Sequence, residues 1–139
     1  YIDSLQIEQA HQRTTPYIYT IICYGYWAFF LRVTMQLPLV IFWIAIGAIV
    51  ALAVVTIINH WWKISAHLTG LGGLIGGVCS FALYYNILPL SLILTLLIGA
   101  LSLMFARLYL NAHTPMQVIA GLLLGLLCTF TPNLILFHA

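Results

Sequence analysis

After Arg32 the chain carries only two charged side chains, Lys63 and Arg107. Charged residues make up 4% of the sequence and hydrophobic ones 64%, with a mean hydropathy of +1.13. A soluble domain is about 25% charged, so a water-facing surface cannot be assembled from these residues. The fold has to present apolar side chains to lipid. A net charge of +2 gives no reason to expect a nucleic acid or a polyanionic partner.

A helix crosses a bilayer with about 20 apolar residues. The sequence predicts five such helices, over residues 16–31, 37–58, 64–85, 88–110 and from 115 to about 130 or beyond. The alternating ten-residue strands of a membrane barrel are absent. The expected fold is therefore all-α, a polytopic membrane helical bundle with about five transmembrane helices, forming a single domain over residues 1–139. A bacterial inner (cell) membrane is the expected location. Residues 1–13 differ in composition. Asp3 and Glu8 come first and His11 and Arg13 later, an order that complements a helix dipole. Either a short helix in the headgroup plane or a frayed end fits. The chain opens at Tyr1 and shows no secretory signal, so it is read as processed or incomplete.

The third predicted helix is bracketed by aromatic pairs, Trp61–Trp62 and Tyr84–Tyr85, as at the two surfaces of a membrane. Between them, Gly72 and Gly76, and Gly73 and Gly77, form two GxxxG pairs, matched in the fifth helix by Gly121 and Gly125. This spacing lets helix backbones approach, so helices three and five are expected to pack through these glycines. A phosphate-cradling glycine loop is excluded, because no Gly-Lys-Ser/Thr ending follows. Ser91, Thr95 and Ser102 of helix four are candidates for bonds across helices. Cys23, Cys79 and Cys128 lie in apolar spans at no metal-binding spacing and are read as buried fillers.

Two clusters hold nearly all the remaining polar chemistry. Lys63, Ser65 and His67 open helix three; Arg107 ends helix four and His113 precedes helix five. Counting spans brings all five residues to one membrane face. Two cations and two histidines with no nearby acid make an anion site. A metal would want carboxylate or thiolate ligands beside the histidines, so neither metal nor cofactor is expected. A phosphate suits the arginine fork, the lysine point charge and the N–H groups of a helix start. Thr114, Pro115 and Gln117 also read as a capping box for helix five.

These residues resemble two motifs of the type 2 phosphatidic acid phosphatases. Lys63-Ile64-Ser65-Ala66-His67 is similar to that family's Pro-Ser-Gly-His motif. Ala106-Arg107, five residues, His113, three residues, Gln117, three residues and Gly121 are similar to its Ser-Arg-x5-His-x3-Asp-x3-Gly motif. The likeness covers the phosphatase-like core, residues 63–125. It implies a nucleophilic His113 that takes the phosphoryl group and a His67 that protonates the leaving alcohol. Lys63, Ser65 and Arg107 would bind the phosphate, and Gln117 would orient His113. The implied substrate is a lipid phosphate or diphosphate, hydrolysed through a phosphohistidine. Ile64, Ala66 and Ala106 stand where the family has proline, glycine and serine. Gln117 stands in place of its aspartate, and its first motif, Lys-x6-Arg-Pro, is missing, with Lys63 as stand-in. A glutamine orients an imidazole but offers no charge to an imidazolium; in a serine-hydrolase triad the comparable loss costs about 10⁴ in rate.

Two functions remain in view. One is a membrane phosphatase. The other is a catalytically silent relative, acting as a membrane subunit or a lipid-headgroup-binding component of a larger complex. Membrane lipids are expected partners in both, other membrane subunits in the second. A transporter is disfavoured by the absence of internal repeats.

Overall fold

The computed structural model describes the backbone of residues 2–138 and the side chains of residue 12 and residues 14–137. Five helices succeed one another through short turns: α1 (Ile2–Val33), α2 (Leu39–Ile58), α3 (Ala66–Tyr84), α4 (Leu90–Tyr109) and α5 (Pro115–His138). No strand occurs among the described residues. α2, α3, α4 and α5 are each long and apolar enough to cross a membrane, and the chain is an integral membrane protein. α1 is long enough but is diluted by tyrosines, threonines and Pro16, and it is not one of those four.

α1 departs most from the expected boundaries. It does not begin at Pro16 but runs through it, back to Ile2. A proline inside a helix removes its own bond to the carbonyl four residues earlier, here that of Gln12. With 32 residues against the 20 of α2, α1 is longer by about 18 Å at 1.5 Å per residue. The short turn between them aligns their joined ends, so the excess projects at the N-terminal end. The side chains of Asp3, Glu8, His11 and Arg13 lie outside the described residues.

α3 and α5 form the centre of the bundle. Here the glycines do what their spacing suggests, with one exception. Gly72 sits against the backbone of Leu122, and Gly125 against the carbonyl of Thr69. A Cβ at Gly76 would lie 2.5 Å from the Leu126 carbonyl and one at Gly121 2.6 Å from that of Ser65. Gly77 instead faces Ile44 of α2. Polar bonds join the same pair of helices: Thr129 Oγ1 donates to Gly73 O (2.9 Å) and Ser80 Oγ to Thr129 O (3.2 Å). Both side chains are buried, so these bonds are made out of reach of lipid and water.

α2 joins this pair through Gly47, which no GxxxG pattern marked. Pro132 has no N–H to offer the Cys128 carbonyl four residues back, and that carbonyl rests against Gly47, where a Cβ would clash. α4 is the peripheral span. Only Ala100 on it is buried, and its hydroxyls do not bond across helices as expected. Thr95 and Ser102 donate to Ser91 O and Ile98 O of their own helix, each at 2.8 Å. Cys23 is exposed rather than buried, and all three cysteines are free.

The α3–α5 contact leaves no room for a side chain at residue 76. Gly76→Leu is expected to destabilise the protein by about 1–3 kcal/mol or more through overpacking. At Gly99 a Cβ would meet nothing within 4 Å, so Gly99→Leu serves as the control that leaves thermal unfolding in detergent unchanged.

Candidate functional site

The site is assembled at the bundle end where α3 and α5 start and α4 stops. The α4–α5 turn explains the spacing from Arg107 to His113. Asn111 adopts the left-handed conformation (φ 51°) that asparagine tolerates better than most residues. Around it Ala112 N donates to Arg107 O (3.1 Å) and Asn111 N to Leu108 O (3.0 Å). This paired closure of a helix end reverses the chain within a few residues. Arg107 therefore stays in the last turn of α4 while His113 is delivered to the start of α5.

α5 then begins with the expected capping box. Thr114 N donates to Gln117 Oε1 (3.0 Å) and Gln117 N to Thr114 Oγ1 (3.4 Å). The same Oε1 lies 3.3 Å from His113 Nδ1. Gln117 thus caps the helix and contacts the histidine with one atom; the two readings of it are not exclusive. The sequence did not reveal the second partner of that ring nitrogen, the main-chain carbonyl of Lys63 at 3.1 Å. Since a backbone N–H already identifies Oε1 as the acceptor, His113 Nδ1 faces two acceptors and must carry the proton. In the neutral ring Nε2 then holds the lone pair.

Lys63 is exposed and lies in the turn before α3, not on the helix, so it does not share a helix face with His67. Ser65 is fully buried and is the N-cap: its Oγ accepts from Leu68 N (3.5 Å), and its carbonyl accepts from Thr69 N and Thr69 Oγ1, both at 3.0 Å. The serine hydroxyl is therefore directed to the helix start. The Ala66 and His67 N–H groups remain as the uncommitted donors of that first turn. Ser65 N donates to Gln117 O (3.3 Å), a second main-chain tie between the two helix starts. The glycine at 121 finds its reason here, since a Cβ would press on Ser65 O. No sequence signal marked either backbone tie, because main-chain partners leave no side-chain signature.

His67 is exposed at the first turn of α3, and Arg107 and His113 are half-buried. His67 stands four residues after Lys63, whose carbonyl holds His113, and Arg107 lies in the last turn of the helix that leads to His113, so the three residues gather at one end of the bundle. A cavity of about 530 Å³ adjoins them; His67 lines it, whereas Lys63, Arg107 and His113 do not. Chemically, the end offers a fixed imidazole with a free Nε2, a second imidazole, two cations and helix-start N–H groups. That combination can bind a tetrahedral anion and exchange a proton with it.

The family model of the PAP2 superfamily matches residues 64–137. Neither the curated proteins nor the solved structures compared with the chain match it.

Gln117→Ala removes the capping oxygen and one partner of His113 together. It is expected to cost about 1 kcal/mol of stability, whereas Gln117→Glu keeps the capping box; thermal unfolding of both variants checks this. Nitrogen NMR of labelled histidine is expected to show His113 protonated at Nδ1. A spectrum with the proton on Nε2 would mean that the ring does not hold these two carbonyls.

Proposed function

Because the chain belongs to the PAP2 superfamily, we propose that it hydrolyses a lipid phosphate or diphosphate at the membrane surface. The observation that carries the reading is the fixed ring of His113, with Nδ1 turned to the Lys63 carbonyl and Gln117 Oε1 and Nε2 left basic. In this mechanism Nε2 attacks phosphorus and the bond to the leaving alkoxide breaks. His67 gives that oxygen its proton. Water then attacks the phosphohistidine, His67 takes a proton from it, and inorganic phosphate leaves with His113 restored. Lys63, Arg107 and the N–H groups beside Ser65 hold the phosphate oxygens, where charge stabilisation supplies most of the catalysis.

One feature favours a second reading, a catalytically silent relative that binds lipid headgroups as part of a larger assembly. Both acceptors on His113 are uncharged, so among the described side chains no carboxylate offsets the imidazolium that forms during phosphoryl transfer.

Phosphate release in nanodiscs separates the two. His113→Ala is expected to abolish turnover. His67→Ala is expected to slow esters of poor leaving groups by about 10²–10⁴ and to spare a nitrophenyl ester. Gln117→Glu keeps the reach of the side chain and adds a carboxylate, so release is expected to rise; Gln117→Asp, one methylene shorter, is expected to gain less. No release from the wild type and from both acidic variants would leave the headgroup-binding reading.

A further inference from the structure

Among the described residues, α1 packs against α2 and against no other helix. It stands away from α3, and the space between them is the 530 Å³ cavity, with α2 as its floor. Tyr17 and Tyr24 line it from α1, and His67, Gly70 and Leu74 from α3. His67 thus belongs to this slot and to the cationic end alike.

Three threonines, Thr20, Thr69 and Thr129, also line the slot, and each hydroxyl is committed inside the protein. They donate to Pro16 O (2.8 Å), Ser65 O (3.0 Å) and Gly73 O (2.9 Å) respectively. With the hydroxyls turned to carbonyls, these residues contribute methyl groups to the wall. Gly70 widens the slot: it is exposed, and a Cβ there would meet nothing within 4 Å. Along α3 the wall extends from Ala66 to Leu74, about 12 Å at 1.5 Å per residue. That is close to one leaflet of a hydrocarbon core roughly 30 Å thick. The slot is therefore apolar, about one leaflet deep, and joined through His67 to a site for a phosphate.

We infer that the slot between α1 and α3 seats the hydrocarbon chain of the lipid whose phosphate is held beside His67 and His113, the lipid entering sideways from the bilayer. This rests on the headgroup chemistry proposed above but does not require turnover. A chain that moves from bilayer to slot exchanges one hydrocarbon surrounding for another, so it gains alignment rather than hydrophobic affinity. Holding the chain at a set depth places phosphorus against Nε2 of His113, an orienting effect.

The test is a decyl phosphate with a terminal diazirine, photolysed with the full chain in nanodiscs and mapped by peptide mass spectrometry. Adducts are expected on Tyr17, Tyr24 or Leu74 and should be displaced by unlabelled decyl phosphate. Filling the slot with Gly70→Leu, or from the α2 side with Ala48→Phe, is expected to lower these adducts several-fold. The same variants should reduce the preference for decyl over methyl phosphate in phosphate release. Adducts confined to the outer face of α4, or slot adducts that persist unchanged in whichever of the two variants folds, overturn the inference. If slot adducts form while no ester is hydrolysed, the phosphatase reading fails and the slot stands. If phosphate is released while adducts lie elsewhere, the slot fails and the phosphatase reading stands.

Discussion

Two helix backbones in direct contact hold this bundle together. In a bilayer the hydrophobic effect does not drive helices together, because lipid tails are as apolar as the side chains they would exchange for. What remains is close packing and the bonds that closeness permits. Between α3 and α5, Gly72, Gly76, Gly121 and Gly125 remove the side chains that would keep carbonyls and Cα atoms apart. Thr129 and Ser80 can then bond across the gap. α2 is fastened by the same means, through Gly47 and the carbonyl that Pro132 leaves without its helical donor.

The contact also sets the relative position of the two helix starts, and with it the setting of His113. Gly121 lets the Ser65 carbonyl settle on α5, Ser65 N reaches Gln117 O, and Lys63 O reaches His113 Nδ1. A side chain at 121 would disturb all three without touching a ligand. The molecule is accordingly uneven. Its α3–α5 side is joined by main-chain contacts, while α1 and α4 are attached more lightly. The tightly built side carries the histidines, and the lightly attached α1 borders the cavity that His67 lines.

Among the described side chains, the charge at this end is cationic. Lys63, Arg107 and two histidines gather there, and the acids of the sequence, Asp3 and Glu8, lie in the first turns of α1, outside the described side chains. Gln117 and the Lys63 carbonyl orient His113 with dipoles and supply no countercharge. In the proposed function, a bound phosphate would bring the negative charge that these cations lack.

The sequence by itself determined that this is a membrane protein of helices, because so few charges cannot cover a water-facing surface. It determined where α2, α3 and α4 lie and where α5 begins, because apolar runs, prolines and capping residues act locally. It also determined that Lys63, His67, Arg107 and His113 share one end, because antiparallel spans alternate. The family likeness was legible too, in the spacing from Arg107 through His113 to Gly121. Only the tertiary structure decided that α1 continues through Pro16, that Gly77 and Gly47 serve α2 contacts, and that the hydroxyls of Thr95 and Ser102 turn back on their own helix. It alone decided that His113 is held by a main-chain carbonyl and that Ser65 is closed off as a cap. The physical reason is common to these cases. A carbonyl is present at every residue, and whether it is used depends on which backbone comes within reach, which neighbouring residues in the chain do not encode.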